Sequence, residues 1–130
     1  MSESLLAYES LGPIARADAE AAFATGAPRD VSRAILRMSL HGPDWEVAER
    51  RALELTAHPD VWVRRNAATA LGHISRVRGS LDLDLAMPAL TALLADPEVA
   101  DYADAALDDL EHYLGADRTR YLTRRRAAGL

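Results

Sequence analysis

The chain has 130 residues, a formal net charge of −5 and an apolar share of 49 %, which together predict one globular domain. It contains no cysteine, and its 15 basic residues are all arginine, so disulfides, thiol nucleophiles and lysine-dependent catalysis are excluded. The acidic balance argues against general nucleic-acid binding. No stretch approaches the ~18 apolar residues of a membrane span, and the N-terminal segment lacks an apolar signal core. We therefore expect a cytoplasmic protein.

Proline, glycine and aspartate divide the sequence into helix-sized segments in which alanine and leucine, both strong helix formers, fill the apolar positions. The predicted fold class is therefore all-α. The segment 116–130 is rich in arginine and is expected to be a solvated tail, with a capping helix docked by Tyr121 and Leu122 as the alternative. Six helices are predicted in chain order. The first runs from Pro13 to Phe23, and the second and third begin at the caps Asp30 and Asp44. The fourth runs from the cap Asp60 to Gly79, the fifth follows Asp82 and Asp84, and the sixth runs from Asp96 to Gly115.

Two of these helices carry the same apolar pattern at a constant offset of 36 residues. Repeats of this length built from paired helices are typical of an α-solenoid. We therefore predict about three antiparallel helix pairs, near 13–41, 44–79 and 84–115, within one domain spanning 1–115. The matching positions are Val63, Ala67, Ala70, Leu71 and Ile74 in one repeat and Val99, Ala103, Ala106, Leu107 and Leu110 in the next.

The sequence HPDVWVRRNAATALGHI at 58–74 resembles a bacterial HEAT-like repeat, and so does DPEV at 96–99 with the alanines and leucine that follow it. More narrowly, HPDVWVRRNAATALGHISRVRG, LDLDLAMPALTALLADPEV and ALDDLEHYL are similar to small HEAT-like proteins of bacterial polymorphic-toxin loci, which are believed to be immunity proteins. This resemblance implies a non-catalytic protein that neutralises a cognate toxin by binding it. The chain departs from the usual repeat where Ala100 occupies the position equivalent to Arg64.

An acidic stripe runs along the last predicted repeat. Its residues follow one another at helical spacings of 3, 4 and 3, so they share one helix face. Like charges at these spacings cost a few tenths of a kcal/mol each, so the stripe does not serve stability. Two interpretations remain open, a solvated helix face and a docking surface for a basic partner. The stripe consists of Asp101, Asp104, Asp108 and Glu111, with Asp109 beside it.

Aromatic residues supply further candidates for contact with a partner. Trp45 and Trp62 each begin a predicted helix, where packing into the core is the default expectation. If Trp62 were instead exposed beside Arg65, the two would form an interface anchor, because Trp and Arg are enriched at binding hot spots. Tyr102, next to the acidic stripe, is a similar candidate.

Two other features are interpreted as structural contacts. Arg64 is expected to join adjacent helices by pairing with an acid such as Glu49 or Asp60. His73 and Asp109 occupy equivalent repeat positions, so they are expected to lie side by side, as a structural pair rather than a catalytic one. No catalytic residue, metal site or cofactor is predicted, since no nucleophile, histidine pair or phosphate loop has the required spacing.

The first functional hypothesis is an immunity protein, monomeric when free, whose acidic face blocks a basic toxin domain. The alternatives are a general HEAT-like scaffold or adaptor and, less well matched, a nucleic-acid-acting enzyme on a HEAT-like scaffold such as the alkyl-base DNA glycosylases. Those glycosylases are longer and carry a basic concave face, whereas this chain is short and acidic. A chaperone-like bilin lyase would need an aromatic cluster that the sequence lacks.

Overall fold

The computed structural model describes residues 11–129, and within this range the chain forms seven α-helices and no strand. The predicted all-α class is thereby confirmed, although residues 1–10 of the predicted domain and Leu130 lie outside the described range. Across that range, none of the helices combines the length and the apolar character that a membrane crossing requires. The helices are α1 (Arg16–Thr25), α2 (Pro28–His41), α3 (Trp45–Leu55), α4 (Val61–Val77), α5 (Leu83–Leu93), α6 (Ala100–Leu114) and α7 (Arg118–Ala127).

The helices form two rows. Helices α2, α4 and α6 pack side by side and make the central row, while α1, α3 and α5 form an outer row in which each helix packs on the central helix that follows it. Helix α7 packs against α5. The hydrophobic core lies between the rows, and its largest fully buried side chains include Ile35, Leu71, Ile74, Leu90, Leu107 and Leu110.

Small residues allow α4 and α6 to approach closely. Gly72 of α4 lies against Ala106 of α6, and a Cβ atom at position 72 would lie 3.4 Å from the Ala106 Cα. The same added atom would lie 2.8 Å from the Asp109 Oδ2. Helix pairs with small residues at the contact have short interaxial distances, so this contact fixes how α6 presents its side chains beside α4.

Several predicted helix starts differ from the observed ones by a few residues. Asp60 caps α4 as predicted, because its Oδ1 accepts a hydrogen bond from the Val63 amide at 3.1 Å. Helix α2 begins at Pro28, so Asp30 lies in the first turn and is not the cap; proline has a backbone φ suited to the first helical position. Helix α1 begins at Arg16, three residues after the predicted start.

The start of α6 is later than predicted because Asp96 forms a turn of its own. The Oδ1 of Asp96 accepts a hydrogen bond from the Glu98 amide at 3.0 Å, and the Asp96 carbonyl accepts from the Val99 amide at 3.0 Å, so residues 96–99 form a turn that precedes the helix. The helix therefore begins at Ala100.

Arg64 links the turn before α4 to the turn before α6. The acid that it pairs with is neither of the two that the sequence analysis named. Its guanidinium pairs with Asp96 at 3.1 Å and donates to two backbone carbonyls of the turn before α4. The expected partners are already engaged, since Asp60 caps α4 and the Glu49 carboxylate accepts from the Asp82 amide at 3.2 Å. Ala100, at the equivalent position in the last repeat, cannot make such a contact.

The arginine-rich segment, for which a solvated tail and a capping helix were the two alternatives, forms a helix over 118–127. Asp117 caps this helix by accepting from the Arg120 amide at 2.9 Å, and Tyr121 packs against the core. None of the residues of α7 is fully buried. The helix is therefore held by few apolar contacts and by the ion pairs of its first residue, described below.

We expect Gly42→Ala to lower the free energy of unfolding by about 3 kcal/mol, because it combines backbone strain with a steric clash. Gly42 has a φ of +55°, and a Cβ atom there would lie 2.7 Å from the Trp45 ring. This ring is half-buried against the core, as predicted for a first-turn tryptophan. Urea denaturation of the variant measures the loss.

Gly115→Ala is the comparison variant, because Gly115 also has a positive φ, +69°, but has open space around its Cα. Its ψ of 21° places it in the left-handed helical region, whereas the ψ of −160° at Gly42 is accessible essentially to glycine alone. Gly115→Ala should therefore lose only about 1 kcal/mol. Equal losses in the two variants would contradict the combined backbone strain and steric clash assigned to Gly42.

Candidate functional site

A groove of about 290 Å³ lies on the central row between α4 and α6. Each helix contributes residues at helical spacing, so each set faces the same side. Three predicted contact residues, Asp101, Tyr102 and Asp109, line the groove. Its full lining is Thr69 and His73 from α4 and Asp101, Tyr102, Ala105, Ala106 and Asp109 from α6.

One end of the groove carries an arginine held between two aromatic rings. The Arg65 guanidinium lies 5.0 Å from the Trp62 ring centroid and 5.1 Å from that of Tyr102. Its Nε–H donates to the Glu98 carbonyl at 2.7 Å. Cation–π contacts of this geometry contribute about 0.5–1 kcal/mol each at exposed sites. We call Trp62, Arg65 and Tyr102 the aromatic–arginine stack.

Trp62 is exposed over 58 % of its surface, so the default expectation that it packs into the core is wrong. The adjacent Val63 is fully buried and occupies the core-facing position of this first turn, which leaves the Trp62 ring outside. Tyr102 is exposed over 39 % of its surface. The stack therefore presents a large aromatic area to solvent. The structure shows the alternative arrangement, an exposed Trp62 beside Arg65, and adds Tyr102, which the sequence analysis named as a separate candidate.

The residues of the acidic stripe lie in two different environments. Asp101 lines the groove, while the other three residues of the stripe bind Arg118 of α7. The guanidinium pairs with Asp104, with Asp108 at 2.5 Å and with Glu111 at 2.8 Å. One guanidinium offsets the charge of only one of the three carboxylates, and the Asp104 and Asp108 side chains are still 59 % and 68 % exposed. The stripe is therefore solvated as well as paired with α7.

The environment of Arg118 shows how strongly this carboxylate cluster holds a guanidinium. Its side chain is 18 % exposed. Burial alone would lower the pKa of Arg118, but hydrogen bonds from its guanidinium to Glu111 and Asp104 raise that pKa above its ordinary value. Charge-assisted hydrogen bonds of this kind are roughly twice as strong as neutral ones.

His73 forms the α4 wall of the groove and is neutral at pH 7. Its Nδ1 lies 3.2 Å from the Ser39 Oγ, and that hydroxyl donates to the Leu36 carbonyl at 2.8 Å. Because the Ser39 proton is engaged, we assign the proton of His73 to Nδ1, which donates to the Ser39 Oγ and leaves Nε2 as an acceptor. Burial, helped by the nearby charge of Arg76, lowers the pKa of His73 to about 4.

Ser39 of α2 contacts His73 of α4, a polar pair that the sequence analysis missed. The available signal was its spacing, because Ser39 follows Ile35 by four residues and so shares the helix face of that apolar residue. Since the hydroxyl is buried and donates to a carbonyl, it is not arranged as a nucleophile for His73. Over residues 11–129, no group of three or more His, Asp and Glu side chains has the geometry to hold a metal ion.

Comparisons with protein-family models, curated proteins and solved structures found no match. The chemistry of the groove and of the stack beside it is therefore the basis for a functional proposal.

Acidification should lower the free energy of unfolding through the partly buried His73. Because His73 takes up a proton near pH 6.5 when unfolded but only near pH 4 when folded, the unfolded state binds more protons between these values, and stability falls as the pH falls. The folded protein should lose about 2 kcal/mol between pH 7 and pH 5 through this group. His73→Gln removes the titration, so urea denaturation at both pH values should show a smaller loss in the variant. Parallel losses would contradict the assignment.

Arg118→Ala should release α7 from the body of the protein. The variant removes three ion pairs from a helix that has no fully buried residue, so amide hydrogen exchange over 118–127 should accelerate by about tenfold or more. Arg124→Ala, at an exposed position of the same helix, is the control and should change exchange little. Similar acceleration in both variants would show that Arg118 does not hold the helix.

Proposed function

We propose that this chain is a non-catalytic protein-binding module that contacts its partner through the aromatic–arginine stack and the adjoining groove. We further propose that the partner is a basic domain of a bacterial toxin, which the chain neutralises as an immunity protein by covering its working surface. The free protein would be a monomer acting in the cytoplasm.

The single observation that carries the proposal is the exposure of Trp62 in a rigid stack. Trp, Tyr and Arg are the residues most enriched at interface hot spots, and all three occur here in mutual contact. Rings and guanidinium are held in place before binding, so little side-chain entropy remains to be lost. A surface of this kind is suited to a protein partner that covers the indole ring.

Charge supports a basic partner. Asp101 and Asp109 line the groove beside the stack, and the whole chain carries a net charge of −5. Such a field accelerates encounter with a positively charged surface. The residues Asp104, Asp108 and Glu111 contribute less to direct contact, since Arg118 already pairs with them.

The arrangement of the helices supports a short HEAT-like α-solenoid. Three pairs, α1–α2, α3–α4 and α5–α6, follow one another with their second helices in the central row, and α7 would cap the last pair. The immunity role itself derives from the sequence resemblance. A general HEAT-like adaptor would use the same surface with a partner that is not toxic.

Trp62→Ala should weaken binding to the partner by at least about tenfold, because it removes the most exposed ring of the stack. The partner to test first is the protein encoded immediately beside this one. The two are expressed together with a tag on this chain, and we expect one stoichiometric complex and rescue of growth where the neighbour alone is toxic. Titration of the purified neighbour by calorimetry measures the loss of affinity.

Leu85→Ala is the matched control, since Leu85 is 55 % exposed on the outer row and should leave affinity unchanged. Equal affinity of the Trp62→Ala variant and the unmodified chain would reject the stack as the contact surface. A neighbour that is harmless and does not bind would reject the toxin assignment.

A further inference from the structure

We infer that the groove between α4 and α6 is a receptor for one arginine side chain of the partner protein, whose guanidinium donates hydrogen bonds to the Asp109 carboxylate and to the His73 Nε2 atom. This inference rests on the proposed function and specifies which part of the basic partner the groove binds, namely one arginine side chain. The supporting observations are the groove itself and the hydrogen-bonding character of its polar side chains.

Apart from the Tyr102 hydroxyl, which can donate or accept, the polar side chains of these walls present acceptors to a ligand. The Asp101 and Asp109 carboxylates only accept when ionised. The Thr69 hydroxyl donates to the Arg65 carbonyl at 3.1 Å, so only its lone pairs remain for a ligand. His73 uses its Nδ1 proton toward Ser39, and its Nε2 has no hydrogen-bond partner among residues 11–129. A ligand that fits this set must bring donors and positive charge.

A guanidinium meets these requirements better than an ammonium group. It carries five N–H donors and no acceptor, it is planar, and it is weakly hydrated, so it stacks on aromatic rings at little desolvation cost. The groove offers the Tyr102 side chain and the apolar surface of Ala105 and Ala106 for the methylene stem. Its volume of about 290 Å³ lies at the lower end of the range for ligand pockets, which suits one side chain rather than a folded segment.

The two groove carboxylates have different roles in this arrangement. Asp101 and Asp109 are eight residues apart on α6, about 12 Å along the helix axis, so one guanidinium cannot contact both. Asp109 lies at the α4 wall, where the absence of a side chain at Gly72 gives it room. It is the binding carboxylate, and Asp101 at the Tyr102 end attracts the incoming charge.

The chain already binds one guanidinium on the neighbouring face of the same helix. Arg118 reaches Asp104, Asp108 and Glu111 there, which shows that α6 carboxylates at helical spacing can enclose a planar cation. The groove differs in that no cation of residues 11–129 enters it: Arg65 remains at its edge, engaged by Trp62, Tyr102 and the Glu98 carbonyl.

The test uses the full chain and a short Gly/Ser peptide with one central arginine, compared with the same peptide carrying citrulline, a neutral analogue of similar shape. Backbone amide chemical shifts are followed by NMR during titration. We expect saturable shifts at Thr69, His73, Ala105 and Asp109 with the arginine peptide and none with the citrulline peptide. Asp109→Asn should weaken arginine binding by about tenfold.

Asp84→Asn is the control of equal charge change, at an exposed site on the outer row, and should bind the peptide as the unmodified chain does. Ala105→Leu is a second test that leaves every charge in place, since Ala105 is exposed and a larger side chain would fill the groove; binding should be lost. The inference is overturned if no saturable shift occurs, if citrulline binds equally, or if Asp84→Asn weakens binding as much as Asp109→Asn.

Failure of this inference is distinguishable from failure of the proposed function. If the partner complex depends on Trp62 but is unaffected by Asp109→Asn and Ala105→Leu, the module stands and the arginine receptor does not. If no complex forms with the neighbour, the toxin assignment fails whatever the peptide does.

Discussion

The close contact between α4 and α6 is the constraint on which the surface of this protein depends. Gly72 meets Ala106 with no room for a further carbon atom without displacement of Asp109. Because the two helices cannot move apart without exposing the core beneath them, Thr69 and His73 are fixed opposite Ala105 and Asp109. The groove, its acceptor walls and the stack at its end all follow from this one small-residue contact.

Much of the fold could be predicted from the sequence. The helices and the Asp60 cap follow from local rules that act within a few residues. The 36-residue offset is visible when the apolar patterns of two such helices are compared. The side-chain environments could not be predicted so well, because they depend on neighbours distant in sequence. Trp45 and Trp62 both begin helices, yet the Trp45 ring covers Gly42, whereas Val63 takes the buried position beside Trp62.

In the candidate site, too, the neighbours of each side chain could not be predicted from the sequence. Helical periodicity correctly places Asp101, Asp104, Asp108 and Glu111 on one broad face, but it cannot say which element lies on either side of it. Helix α7 lies on one side and supplies Arg118; α4 lies on the other and supplies His73. Choosing Arg118 among the tail arginines requires the turn geometry after Gly115. The stripe thus serves intramolecular anchoring at one edge, and we propose recognition at the other.

Hydrogen exchange measured by mass spectrometry, on the chain alone and in complex with the protein encoded beside it, tests the central claim most directly. Our account predicts that binding slows exchange in α4 from its start to His73 and from residue 98 to Asp109 of α6, with little change in α1, α3 and α7. Protection confined to the outer row or to α7 would contradict the assignment of the groove and its aromatic–arginine stack as the contact surface.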